Sequence, residues 1–406
     1  MMQGGIHLVQ WKVLTVLTIA VALLWGTRPA YSLAYICLFL FFILPFWQKK
    51  AAVNLQVSRL PEDYYLFPGD SRALGLQVAN PTFFPFAWIS IFDRIPAALR
   101  TGSHPQRSVF SLAPHATHKL HFQITARERG VYRLGALDVS VGDFFGVRTQ
   151  SFRVDEGKTV VVFPEIFQLT ELTLPARLSI GSFKALQRIN PDPTRLAGLR
   201  QYQEGDQLRT IHWPATARTQ TLQVKQFDHT VTATCVLFLD LYKESYEVST
   251  FHATTELAIA TVASLAAHLI QRGEACGFVS NAALMEYLPE EVAPSQIHGT
   301  VHVSPRQGMT QLTQILTILA AVKTQEEQEF LGLLRESTLN LASATILLWV
   351  VAQDTPEIVQ EAWKLARRGC QIQIFVVDEV LHRDLLHRPY GSALQVFSVS
   401  RGGGIV

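Results

Sequence analysis

GLRQYQEGDQLRTIHWPATARTQTLQVKQFD, residues Gly198–Asp228, is the stretch on which the reading of this chain turns. Charged residues (Arg200, Glu204, Asp206, Arg209, Arg218, Lys225, Asp228) alternate with Tyr202, Ile211, Trp213, Leu222 and Phe227. A solvated linker is poor in aromatics, so this density of bulky groups predicts folded structure. Gly205-Asp206 reads as a turn, and the alternation from Leu222 to Phe227 predicts a strand after it. Arg200 and Arg209 flank Glu204 and Asp206, and a guanidinium pairs carboxylates in a bidentate fork. That pattern fits an internally paired clasp at a domain junction first, and a docking or ligand surface second. Removing Arg209 then destabilises the fold if the clasp is buried. His212 near two carboxylates also admits an acid–base reading, although such neighbours are common in sequence.

Outward from this stretch, composition sets the frame. A chain of 406 residues predicts two or three domains. Its hydrophobic fraction of 48% is high and points to membrane segments. The net charge is +2, with both signs spread along the chain, so electrostatic capture of nucleic acid is not expected. The 4 cysteines, Cys37, Cys235, Cys276 and Cys370, lie far apart inside apolar runs. They read as small hydrophobes in a reducing compartment rather than a disulfide frame or zinc site.

On the amino-terminal side, Leu8–Trp25 and Ala30–Trp47 are apolar runs separated by Gly26-Thr27-Arg28-Pro29. Each approaches the ~20 residues that cross a bilayer as a helix, and Trp11, Trp25, Tyr31 and Trp47 fall near the ends as interfacial aromatics do. No small-residue cleavage site follows the first run, so a helical hairpin is predicted over a signal peptide. Lys12, Lys49 and Lys50 lie on one side against Arg28 in the loop, which places both ends in the cytoplasm.

From Val53 to Phe163 the period is two. Val53-Leu55-Val57, Leu74-Leu76-Val78 and Leu120-Phe122-Ile124 alternate with polar residues, separated by turns at Pro68-Gly69-Asp70, Asn80-Pro81 and Arg129-Gly130. Short strands at that spacing predict an all-β sandwich over 51–165. His115, His118 and His121 are spaced by three, which does not put them on one strand face, so they read as surface histidines.

Past a connector and the opening stretch (166–230), continuous apolar strands alternate with helices over 231–406. The strands are Thr232–Leu239, Ala275–Val279, Thr345–Ala352 and Gln371–Val377; the helices are Thr254–Arg272, Gln311–Val322 and Pro356–Arg368. This predicts a doubly wound α/β domain, whose ligands sit at the carboxyl ends of strands, where Asp240 falls. Phosphate-loop, dinucleotide, zinc-protease and nucleophile-elbow motifs are missing.

The opening stretch resembles the signature of domain-of-unknown-function family fifty-eight. Arg200, Tyr202, Gly205, Asp206, Arg209, Ile211, Trp213, Ala217, Arg218, Val224 and Lys225 hold its positions. His212 and Pro214 depart from it. Arg129-Gly130 with Tyr132, and Asp143, Phe145 and Gly146, match a second element of that family. The resemblance implies a von Willebrand factor A-like α/β domain at 231–406. In such domains a magnesium adhesion site uses Asp-x-Ser-x-Ser, a later Gly-x-Thr and a further Asp. Asp240, Thr310 (in Gly308-Met309-Thr310) and Asp354 match it in part, while Tyr242 and Glu244 replace the two serines. No cofactor beyond a weakly held magnesium is expected.

What the resemblance implies is a non-enzymatic, bacterial inner-membrane adaptor. Its partners would be a MoxR-type AAA+ ATPase, the lipid bilayer and other envelope-associated proteins. Arg200, Tyr202, Gly205, Asp206, Arg209, Trp213, Arg218 and Lys225 would form the partner-binding junction. The alternative is a membrane-bound hydrolase using Asp206, Glu204 and His212.

Overall fold

A computed structural model describes residues 4–39, 46, 53–60, 64–102, 107–142, 149–154, 157–167, 196–227, 234–285, 295–297, 299–339, 345–379 and 394–399. The expected elements at 40–45 and 47, at Asp143, Phe145 and Gly146, and at 188–195 lie outside the described residues. The chain divides into two compact units, Met1–Phe163 and, after it, Pro164–Met285 with Glu290–Val406.

The first unit opens with helices α1 (Gly4–Trp25) and α2 (Arg28–Leu38), which pack against one another across a break at Gly26. The pattern of burial is inverted relative to a water-soluble helix pair. Thr15, Ala22 and Ala34 are buried, whereas Val16, Leu17, Leu23, Leu24, Leu33 and Ile36 face outward. Small residues at a helix contact with large apolar ones outside is the arrangement helices adopt in lipid.

Ten strands follow: β1 (Gln56–Arg59), β2 (Tyr64–Leu66), β3 (Ser71–Ala79), β4 (Phe86–Asp93), β5 (Arg107–Leu112), β6 (Thr117–Thr125), β7 (Gly130–Arg133), β8 (Leu137–Gly142), β9 (Thr149–Val154) and β10 (Thr159–Val162). They form sheets ordered β1-β3-β6, β5-β4-β8-β9 and β2-β10-β7. Leu74, Leu76, Val78, Ile89, Ile91, Ile124, Val139 and Val160 interdigitate in one core, as period-two patterning requires. Inside it lies a buried charge pair that no local pattern announces. Arg59 grips Asp93 with two hydrogen bonds of 2.9 and 2.8 Å and also donates to the Gly135 carbonyl at 3.1 Å. The Arg129-Gly130-x-Tyr132 element has a steric cause: a Cβ on Gly130 would lie 2.9 Å from the Tyr132 ring.

The second unit begins with a hairpin, β11 (Leu196–Gln201) antiparallel to β12 (Gln223–Phe227), which encloses the short helix α3 (Trp213–Thr219). Its main sheet runs β16 (Ser295–Ile297), β17 (Thr300–Arg306), β14 (Ala275–Ser280), β13 (Thr234–Leu239), β19 (Ile346–Gln353), β20 (Gln371–Glu379) and β21 (Leu394–Ser398) in spatial order. The four strands β13, β14, β19 and β20 are mutually parallel, and β17 joins β14 antiparallel. A minor ladder pairs β15 (Ala283–Leu284) with β18 (Val322–Lys323).

Parallel strands buried on both faces need helices on both. Helix α4 (Phe251–Gln271) packs on β13, β14, β19 and β20 and against α5 (Met309–Ala321). Phe330, Leu333 and Leu334 of α6 (Phe330–Thr338) and Ile358, Ala362 and Leu365 of α7 (Pro356–Arg367) share a core with Val236, Phe238, Trp349 and Ile374. Among the described residues α4 meets the length and hydropathy of a membrane span, but 72% of its apolar window is buried in this unit, whereas the described apolar part of α1, Thr15–Trp25, is shorter. By position α4 is a core helix.

Sequence reading passed over β17 because Pro305 interrupts its alternation. The structure accommodates that proline at a register shift between Cys276 and Phe278, where a Cβ on Gly277 would meet Pro305 Cγ at 2.8 Å. Glycine opposite proline is what lets this strand join the sheet. All four cysteines are free, and burial pushes the thiols of Cys235, Cys276 and Cys370 up, which keeps them protonated and unreactive.

Candidate functional site

Two places carry the residues singled out in the sequence. The first is the β11–β12 hairpin. Its turn closes by an Asp206 N–H to Gln203 carbonyl bond of 3.0 Å, with Gly205 at φ +104°, a conformation side chains disfavour. Asp206 then reaches back to accept the Gln203 N–H at 2.9 Å. Arg200, in β11 three residues before Gln203, closes a two-pronged bond on the same carboxylate at 2.7 and 2.6 Å. The spacing Arg-x-Tyr-x-x-Gly-Asp is thus the spacing of one clasped turn. The Arg200 hydrogen bond, followed by the Gln203 N–H, holds the Asp206 carboxyl below its ordinary range.

Arg209 corrects an expectation. It does not join the carboxylates; it is exposed and donates to Gln207 Oε1 at 2.7 Å. Its removal therefore strands no buried charge, and Arg200 is the residue that holds the turn. Glu204 is exposed as well. His212 caps α3, its Nδ1 accepting the Ala215 N–H at 3.1 Å, and so is engaged as a structural acceptor. Ile211 and Val224 are buried partners beneath the hairpin. Trp213 and Leu208, in contrast, stand 66% and 70% exposed, with Arg209 and Arg218 exposed alongside them in sequence. Tyr202 and Lys225 are half-buried.

Because the folded Asp206 is more acidic than the unfolded one, the clasp's contribution is complete above the ordinary aspartate range. It is lost as pH falls through the lowered value. Amide NMR of Gln203 is expected to show the turn opening only below about pH 3.9. In Asp206→Asn that acid transition is absent.

The second place is the carboxyl end of the α/β sheet. Asp240, next after β13, is 1% exposed and accepts the Tyr242 N–H at 2.9 Å and Asn281 Nδ2 at 3.1 Å through Oδ1. Ser245 supplies a further side-chain hydrogen bond. Asn281 Oδ1 takes the Leu241 N–H at 2.8 Å, and Tyr246 Oη donates to the Asp240 carbonyl at 2.6 Å. Burial pushes the Asp240 carboxyl up despite these donors. Asp354 is fully buried just beyond β19, and Thr310 is exposed in the first turn of α5. Tyr242 and Glu244, in the two serine positions, bond to one another at 2.9 Å.

This donor set does not fit a magnesium shell. A hard cation wants oxygen atoms left open to it, whereas Asp240 is laced into strand-end hydrogen bonds and the Tyr242–Glu244 pair is self-satisfied. Among the described residues no three His, Cys, Asp or Glu side chains gather as a metal group.

Beside Asp240 opens a cleft of about 810 Å³, lined by Lys243, Phe251, Asn281, Gly299 and the loop Thr324–Gln328. That loop is laced to the β13 end by Lys243 N–H to Gln325 carbonyl and Gln325 N–H to Leu241 carbonyl bonds of 2.9 and 3.1 Å. The loop was missed in sequence, since nothing in Gln325-Glu326-Glu327-Gln328 marks a cleft wall.

Fold and site together define a two-unit protein whose α/β sheet is preceded by a clasped, tryptophan-bearing hairpin. Residues 198–331 match the family described as "Protein of unknown function DUF58". The match spans the hairpin and the first half of the sheet as one block. A relative in Bacillus subtilis (strain 168), "Uncharacterized protein YeaD", is 23% identical over 286 residues, which cover 66% of this chain and 68% of that one. Among solved structures, Escherichia coli alpha-2-macroglobulin from domain MG7 to its C-terminus aligns at TM-score 0.23 and 17% identity, over 28% of this chain and 17% of that one. The PapD-like domain 7 of human CEP192 aligns at TM-score 0.17 and 12% identity, over 27% of this chain and 82% of that domain.

Proposed function

We propose that this chain is a membrane-anchored, non-enzymatic adaptor of the bacterial inner membrane. Its α1–α2 hairpin lies in the bilayer, and its folded units stand on the cytoplasmic side and engage a MoxR-type AAA+ ATPase. The observation that carries the docking role is the β11–β12 hairpin. Its polar signature groups are used up internally: Asp206 by Arg200 and the Gln203 amide, His212 by the helix it caps. Trp213, Leu208, Arg209 and Arg218 remain outward, and tryptophan and arginine are the residues that anchor protein interfaces. The commitments of Asp206 and His212 weigh against a hydrolytic set of Asp206, Glu204 and His212. The inverted burial of α1 and α2 supports the anchor. The sheet order, with antiparallel β17 beside β14 and parallel β13, β19, β20 and β21 beyond, supports a von Willebrand A-like unit.

The test uses the full chain in nanodiscs with its MoxR-type ATPase. Trp213→Ala is expected to lower capture of the ATPase at least about tenfold, the loss of one interface anchor, while circular dichroism stays unchanged. A reporter fused at Val406 should be cytoplasmic. Capture should also survive chelation, and titration calorimetry should give magnesium affinity no tighter than about millimolar. Undiminished capture by Trp213→Ala, or turnover of phosphoesters lost with Asp206→Ala, would overturn the adaptor reading.

A further inference from the structure

Strand pairing fixes the end at which the chain enters the β-sandwich. Gln56, the first residue of β1, pairs with Ala79, the last of β3, and Ala79 pairs with Thr117, the first of β6. Loops 80–85 and 113–116 therefore lie at the entry end. Asn80, 2% exposed, ties the two loops together: its Nδ2 donates to the Phe84 and Ala113 carbonyls at 2.9 and 3.0 Å, and its Oδ1 accepts the Thr82 N–H at 3.0 Å. The His115 N–H, in a left-handed turn at φ +54°, reaches across to the Thr82 carbonyl at 3.2 Å. This braced tip holds Phe83 outward. Phe83 is 86% exposed, with the His115 imidazole edge-on to its ring at 4.5 Å, while Phe84 and Phe110 behind it pack on the core. Val53, just ahead of β1, is 80% exposed at the same end. No aspartate or glutamate occurs in 71–92 or 94–127, the segments that build the tip, and Lys119 is exposed beside it on β6.

We propose that this end of the sandwich rests on the bilayer that holds α1 and α2, with Phe83 entering the interface and Lys119 facing anionic lipid headgroups. The inference rests on the anchor reading above, and continuity of the chain carries it. From Trp47, which closes the second apolar run, to Gln56 the chain spans at most about 30 Å even fully extended. The other end of β3, at Ser71, lies about 26 Å beyond Ala79 at the rise of a strand. The tether thus holds the Phe83 end nearest the membrane. Charge agrees with this placement: an exposed aromatic beside a basic residue, with carboxylates kept away, is the composition that settles on an anionic lipid surface. The bracing by Asn80 matters because a loop already ordered gives up little entropy when its ring is buried.

The test places the full chain in nanodiscs of phosphatidylcholine and phosphatidylglycerol that include lipids spin-labelled near the headgroup. An NBD fluorophore is carried on one introduced cysteine in a Cys37→Ala background. The label on Phe83→Cys is expected to be blue-shifted and quenched by the spin-labelled lipids. The label on Arg127→Cys, an exposed position past the Ser71–Thr125 pair at the opposite end, should be neither. Lys119→Glu should lower the ratio of docked to free Phe83→Cys label, read from its lifetimes, at least about fivefold, the worth of one basic residue at an anionic surface. Leu24→Cys, on the outward face of α1, reports the anchor itself. Quenching at Leu24→Cys with none at Phe83→Cys would overturn this inference and leave the anchor standing. So would equal quenching at Phe83→Cys and Arg127→Cys, no effect of Lys119→Glu, or a blue shift without quenching, which marks a protein neighbour instead. Absence of quenching at Leu24→Cys would overturn the anchor reading, and this one with it.

Discussion

Replacing Asp93 with Ala is expected to destabilise the β-sandwich by about 3–5 kcal/mol, the cost of leaving a buried charge without its partner. The Arg59 and Asp93 side chains are 5% and 0% exposed, and both prongs of the guanidinium are committed to the carboxylate. In the variant, Arg59 loses both bonds to the carboxylate that offset its desolvation, while the Gly135 carbonyl stays in reach at 3.1 Å. Denaturant unfolding of the detergent-solubilised chain, followed by hydrogen exchange in β3 and β4, reads the loss. The double variant Arg59→Met/Asp93→Leu should recover most of it, because apolar residues of similar volume replace a buried pair at little cost. A double variant as unstable as the single one would show that the pair's geometry, not its charge balance, holds the sheets.

Trp349→Ala should have a comparable effect in the other unit, about 3–5 kcal/mol. Trp349 is fully buried at the middle of β19, with its ring edge-on to Phe330 at 6.1 Å and tilted against Phe238 at 6.5 Å. It bridges the central strands to α6, so truncation opens a cavity where sheet and helix meet. Its Nε1 has no acceptor among the described residues. Trp349→Phe therefore removes an unsatisfied donor along with some volume and should cost far less than the alanine change. Hydrogen-exchange protection in β19 and β20 is the measurement. Equal losses for Phe and Ala would show that ring volume does not set the cost at this position, and would overturn the cavity argument.

The legible parts of the chain were those set by near neighbours. Alternation at Leu74, Leu76 and Val78, the helical spacing of 254–271 and the continuous apolar run at 346–352 each reflect one element burying one or both faces. Ends were less legible: α4 begins at Phe251 and α5 at Met309, ahead of their apolar stripes, because Thr250 and Gly308 start the turns. Gly205-Asp206 was readable as a turn because glycine's positive φ and aspartate's reach are local properties.

Choice of partner was not local. Arg200 and Arg209 look equivalent in sequence, yet only Arg200 sits on the strand that passes the carboxylate, and Arg209 turns away to Gln207. Arg59 finds Asp93 34 residues away only once β1 and β4 stack. Asp240 was marked by its place at a strand end, but its engagement by Asn281, 41 residues on, is made by the pairing of β13 with β14. Sequence alone determined which stretches bury a face, where the backbone turns and that the signature hairpin is folded. Tertiary structure decided which charges meet and which stay in water, since pair energies depend on distances and burial that arise only when separate elements pack.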